Sequence, residues 1–110
     1  MRQWMIEPEL LCRKHLLGEH VEHHMFVGTI KKGISIKGYI NKGLLEPEKL
    51  HSRHDSIVKE MKRRGYNHNS PLPQLNLESL PSGNIDINKN ILDLKNRCKE
   101  CSERITDEEE

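Results

Sequence analysis

The chain has 110 residues, 34% of them hydrophobic and 4% aromatic, which supports one small core and excludes a second domain with a core of its own. Charged residues make up 32%, yet Leu, Ile, Val and Met recur at helical spacing, so the chain is not of the disordered class. The net charge of +1 conceals an uneven distribution, because four of the 17 acids fill positions 107–110 and leave 18 basic against 13 acidic side chains in residues 1–106. The expected organisation is a single domain over 1–106 with a disordered acidic tail at 107–110, and the basic body favours a polyanionic partner. No apolar run approaches a membrane span and the first residues lack the apolar stretch of a signal peptide, so the expectation is a cytoplasmic protein with no membrane partner.

In chain order, Met1–Glu7 is short and mixed, with Trp4 a residue to bury. Glu7-Pro8 opens a helix, with Pro in the first turn and acids at Glu7 and Glu9. That helix is predicted to run to Lys32, where Gly33 stops it. Gly33–Leu45 carries three glycines among Lys, Ile and Tyr39 and reads as a loop able to touch a ligand or a phosphate backbone. A second helix is predicted over Pro47–Arg64, with Leu50, Ile57, Val58 and Met61 inward. Gly65 ends it as the residue after the cap, and Lys62, Arg63 and Arg64 suit the negative end of the helix dipole. Tyr66–Gly83 is irregular, with prolines at 71, 73 and 81 and leucines at 72, 75, 77 and 80 to pin it across the helices. A third helix spans Asp86–Ile105, its inward stripe being Ile87, Ile91, Leu94, Cys98, Cys101 and Ile105. The fold class is all-α, a single compact domain of three main helices.

Cys12, Cys98 and Cys101 are odd in number, and without a secretory signal they are expected as free thiols. Cys98-Lys-Glu-Cys101 has the spacing of half a zinc site or a redox pair, but both positions fall on the apolar stripe of the third helix. Core packing is therefore the expected role, with a full zinc site requiring Cys12 and histidines as further partners.

The first helix holds the most informative pattern. At 100° per residue, His15, Glu19, Glu22 and His23 share one sector. Leu10, Leu17, Val21 and Met25 lie to one side of them, and Cys12, Leu16, Phe26 and Ile30 to the other. Arg13, His20, His24 and Lys31 are expected on a solvated face. Carboxylates in an apolar sector are costly unless paired or functional. Three readings are open: pairing of Glu19 and Glu22 with His15, His23 or a base from another helix; ligation of one ion by His15, Glu19, Glu22 and His23 with His51, His54 and Asp55 opposite; or acid/base catalysis. Motifs for a serine nucleophile or a phosphate-binding loop are absent. A further nucleophile is the α-amine, which deprotonates more readily than a lysine and attacks a sugar aldehyde carbon as a Schiff-base former. A methionine before the bulky Arg2 is expected to be retained, which assigns that amine to Met1.

The stretches MRQW at 1–4, ELLCRKHLLGEHVEHH at 9–24 and MKRRGYNHNSPL at 61–72, in this order and spacing, resemble the pyrimidine-dimer DNA glycosylases, the phage endonuclease V-type repair enzymes and their cellular relatives. The resemblance implies one all-α domain of three main helices with the N-terminal segment threaded between them. It implies a DNA glycosylase with AP-lyase activity on damaged or modified bases in double-stranded DNA, without metal or organic cofactor. In that scheme the α-amine of Met1 attacks deoxyribose C1′ to give an imine, and Glu22 supports the imine and the β-elimination that cuts the strand. Arg2 matches an arginine beside the nucleophile and His15 a histidine near DNA phosphates. Arg13, Lys14, Lys31 and Lys32 are the further expected phosphate contacts, and Glu19 and His23 the expected structural support. The chain departs from the family at Val21 and Met25, where it commonly has phosphate-holding arginines. The alternative reading is therefore a non-catalytic binding protein on the same scaffold, for a nucleic acid, a nucleotide or a host protein, with self-association also open.

Overall fold

A computed structural model describes residues 1–109 as an all-helical fold: α1 (Arg13–Lys31), α2 (Lys37–Asn41), α3 (Leu50–Arg63), α4 (Ile87–Arg97) and α5 (Lys99–Glu109), with 3-10 turns at Pro8–Leu10, Pro47–Lys49 and Leu77–Ser79. Among these residues there is no strand, and no helix is long and apolar enough to cross a membrane. The helix ends follow local chemistry. Gly65 sits at φ +81°, and the N–H of Tyr66 returns to the Met61 carbonyl at 2.9 Å, closing α3 as the glycine and the basic last turn require. Asp86 caps α4, its carboxylate accepting from the Lys89 N–H at 3.1 Å.

Two of the three predicted long helices are broken, both at cysteines. The first is interrupted at Leu11–Cys12, where Cys12 is extended (φ −69°, ψ 168°). The Arg64 guanidinium takes the Leu11 carbonyl at 2.7 Å and the Pro8 carbonyl at 3.2 Å, so oxygens that a continuous helix would use internally are satisfied from α3. The third is interrupted at Cys98 (φ −135°, ψ 109°), so α5 starts in a new direction. The break keeps Leu94, Cys101 and Ile105 buried and leaves Ile87 exposed, against the single stripe expected. Positions 107–109, expected as a disordered tail, continue α5 as helix, and Glu110 lies outside the described residues. Within the expected loop 33–45, residues 37–41 form α2.

The core has two parts. Trp4, Ile6, Leu11 and Leu16 pack with Ile57 and Met61 of α3 and with Leu94, Cys101 and Ile105. Phe26, Ile36, Leu45 and Leu50 form the second, against which Met1, Tyr39 and Leu77 lean. The N-terminal segment runs between α1, α4 and the 44–46 loop. The Gln3 N–H donates to the Leu44 carbonyl (2.8 Å), its side-chain oxygen accepts from the Glu46 N–H (2.7 Å), and Asn90 Nδ2 donates to the Trp4 carbonyl (2.8 Å).

Helix α1 is rotated relative to the sequence reading. It buries Leu16, Glu19, His20, His23, Phe26 and Val27, while Val21 and Met25 are 54% and 49% exposed. A buried face containing a glutamate and two histidines has no continuous apolar stripe, so periodicity alone does not identify it. Glu19 and His23 instead meet hydrogen-bond partners on other elements, and His20 packs against the rings of His54 and His68.

Candidate active site

Glu22 lies half-buried on α1 and accepts a hydrogen bond from the backbone N–H of Arg2 at 3.2 Å. The α-amine of Met1 is one residue back, within about 4 Å of that amide nitrogen by covalent geometry. What holds this arrangement is the side chain of Arg2. Its guanidinium reaches Asp93 at 2.9 Å and Asn90 at 2.6 Å, and it lies 3.8 Å over the Trp4 ring. Arg2, expected to contact DNA, is thus committed inside the protein, where it fastens the N-terminal segment to α4. Asn90 and Asp93 were not singled out in the sequence, since nothing in α4 marks them before the chain folds back on it.

Gln3 continues the fastening. Its Nε2 lies 3.1 Å from His23 Nε2, and His23 Nδ1 lies 2.8 Å from the Glu19 carbonyl. A carbonyl accepts only, so His23 carries its proton on Nδ1 and receives the Gln3 N–H on Nε2. Burial holds this imidazole below the ordinary histidine range, consistent with a neutral ring. Glu19 gives both carboxylate oxygens to Arg53, at 2.6 and 2.9 Å, with both side chains buried. Of the partners expected for Glu19, the one it meets is the base from another helix, Arg53 of α3, rather than the side chain of His15 or His23. The single-ion constellation of His15, Glu19, Glu22 and His23 is therefore pulled apart.

His15, expected at DNA phosphates, is grouped with thiols, Nδ1 lying 3.2 Å from Cys12 Sγ and 3.6 Å from Cys101 Sγ. The expectation of solvated His20 and His24 fails as well: His20 is buried and His24 is half-buried. The His20 ring stacks among His24, His54 and His68, with centroids 4.9–5.0 Å away. Burial and the neighbouring imidazoles push His20 and His54 down to about 4.

Two clefts adjoin the amino terminus. One, of about 380 Å³, is lined by Met1, Ser35, Gly38, Tyr39, Lys42 and Leu44. The other, of about 420 Å³, is bordered by Arg2, Lys42, Asn84, Lys89 and Asp93 among others. Lys42 borders both, a cation missed as an individual residue although the glycine- and lysine-rich loop that carries it was legible. Arg13, Lys14, Lys31 and Lys32 are exposed, Arg13 lying 5.3 Å over the Tyr66 ring. Arg13 and Lys31 are each nine residues from Glu22, about 14 Å along the axis of α1 and half a turn around it, so they lie on the opposite face, whereas Lys14 and Lys32 lie within about 80° of Glu22.

The arrangement offers a carboxylate beside a chain terminus and a cleft at that terminus bordered by Lys42. A family model described as pyrimidine dimer DNA glycosylase matches residues 1–74, from the amino terminus through α3 and into the irregular segment beyond it. No curated protein and no solved structure matches the chain.

Proposed function

The chain belongs to the pyrimidine dimer DNA glycosylase family, and on that premise we propose that it is a DNA glycosylase with AP-lyase activity, using Met1 and Glu22 on double-stranded DNA with a damaged pyrimidine. The observation that carries this reading is the 3.2 Å hydrogen bond from the Arg2 N–H to Glu22, which keeps the amino terminus and the carboxylate together. In the proposed reaction the neutral α-amine attacks C1′ of the deoxyribose, the C1′–N bond to the base breaks, and the base leaves with the electron pair. The adduct loses an amine proton to Glu22, which returns it to O4′ as the C1′–O4′ bond breaks, and the open sugar is left as a protonated imine. A proton is then removed from C2′, and the electron pair expels the 3′ phosphate, cutting the strand. Glu22 is the acceptor for these protons, the group within reach of the terminus. The cleft beside Met1 takes an extruded nucleotide, as enzymes acting on bases in duplexes require. Lys42 at the cleft, with Lys14 and Lys32 on the adjoining side of α1, supplies the phosphate contacts nearest the site, since Arg2 and His15 have other partners and Arg13 and Lys31 lie on the opposite face of α1.

The test is borohydride reduction in the presence of abasic-site DNA. The expected result is a covalent adduct mapped to the Met1 peptide, from protein whose free Met1 α-amine has been checked by intact mass. It is lost when that amine is acetylated. An adduct on a lysine, or cleavage unchanged by acetylation, overturns the mechanism. The second reading, a non-catalytic binder, draws on the exposed Val21 and Met25 beside Glu22, and duplex binding without any adduct would establish it.

A further inference from the structure

Four histidines outside the Glu22 site converge on one point. His20 and His24 come from α1, His54 from α3 and His68 from the irregular segment, and their ligating nitrogens lie within 4.8 Å of one another. The Nε2 atoms of all four are buried without a hydrogen-bond partner. A buried polar nitrogen without a partner is costly, and one cation shared by the four would satisfy them together. The ring spacing fits a tetrahedral metal ion. Zinc bound by imidazole at about 2.0–2.1 Å in a tetrahedron places ring centroids about 5.2 Å apart. The centroid separations here are 4.9–5.4 Å for five of the six pairs.

A second group stands independently at the start of α1. Cys12, His15, Cys98 and Cys101 also have ligating atoms within 4.8 Å of one another. A tetrahedral zinc with these ligands has sulfur–sulfur edges of about 3.8 Å and sulfur–nitrogen edges of about 3.6 Å. The separations are 3.9 Å for Cys12–Cys98, and 3.2 and 3.6 Å from His15 Nδ1 to Cys12 and Cys101. The backbone N–H groups of Cys12 and Cys101 point at Cys101 Sγ (3.2 Å) and Cys98 Sγ (3.4 Å), as donors stabilising thiolates. Both helix interruptions of the fold fall at cysteines of this group.

We propose that the chain binds two Zn²⁺ ions, one in a four-histidine site and one in a three-cysteine, one-histidine site. Every coordination position is filled by protein, so both ions are structural. The histidine ion ties the irregular segment to α1 and α3, and the cysteine ion ties the start of α1 to the α4–α5 junction. They brace α1 on both sides of Glu22 in a chain whose apolar core is small. Cys12 and His15 lie within the family match at 1–74, and Cys98 and Cys101 beyond it. Neither site depends on the glycosylase reading.

The test is metal analysis of the full chain, made without a histidine tag, loaded with zinc and freed of excess by gel filtration. The expected content is about two equivalents per chain, falling to about one in either His68→Ala or Cys98→Ser. Cobalt substitution of the unaltered protein keeps each site testable should a variant misfold. A thiolate-to-cobalt charge-transfer band reports the cysteine site, and histidine ring proton signals shifted by the paramagnetic ion report the other. Failure of the loaded protein to hold zinc overturns both sites. A content of one equivalent without the charge-transfer band overturns the cysteine site, and one equivalent with it overturns the histidine site.

Discussion

Glu19 and Arg53 face each other edge to edge, two parallel hydrogen bonds of 2.6 and 2.9 Å joining α1 to α3 inside the protein. Glu22, three residues along the same helix, has instead the Arg2 backbone N–H and a position beside the amino terminus. Two glutamates of one sector thereby have different surroundings, one a charge matched by a buried arginine and the other a half-buried carboxylate beside the amino terminus.

Glu19→Gln therefore leaves the Arg53 charge buried without its counter-ion, and should cost about 3–5 kcal/mol, read as a fall in the thermal midpoint. Glu22→Gln should leave the midpoint near that of the parent and retain DNA affinity while removing strand cleavage at abasic sites. Equal activity losses at equal stability would show that the division of roles is wrong.

Arg2→Ala removes the ties to Asp93, Asn90 and Trp4. It should lower stability by about 1–3 kcal/mol and slow adduct formation, because the terminus is no longer held at Glu22. The salt dependence of DNA binding should stay the same. A slope shallower by about 0.9 would reveal a phosphate contact at Arg2 after all.

Val21 and Met25 are exposed, so arginine fits at either place without disturbing the core. Val21→Arg and Met25→Arg should each change stability by no more than about 0.5 kcal/mol. Each should tighten duplex binding and steepen the plot of log affinity against log salt by about 0.9. An unchanged slope in both would move the DNA-facing surface away from this side of α1.

Glu60 supplies a pH prediction. Hydrogen bonds from Arg63 lead in holding its carboxyl below the ordinary carboxylate range, Arg64 adding to them against the opposing effect of burial. A depressed carboxyl stabilises the fold above its unfolded pKa of about 4.3, and that contribution is lost as pH falls through the lower folded value. Urea midpoints for the parent and Glu60→Gln should differ at pH 7 and converge as the medium is acidified below about pH 4. A difference that persists at the acid end would assign the effect to packing rather than charge.

The sequence by itself determined the helical class, the end of α3 at Gly65 and the start of α4 at Asp86, because these rest on neighbours within a few residues, and it determined the family through motifs within residues 1–74. It also presented the half-site Cys98-Lys-Glu-Cys101, but as two thiols on a helical stripe. The buried face of α1 was decided only in three dimensions. Glu19 is acceptable inside because Arg53 arrives from α3, His23 because Gln3 folds back onto it, and His20 because His54 and His68 close around it. Pattern reading treats a polar residue as outward unless its partner is near in sequence, and these partners lie 20 to 48 positions away. The breaks at Cys12 and Cys98 have the same origin: local propensity favours continuing each helix, and contacts between segments 86 positions apart favour turning it.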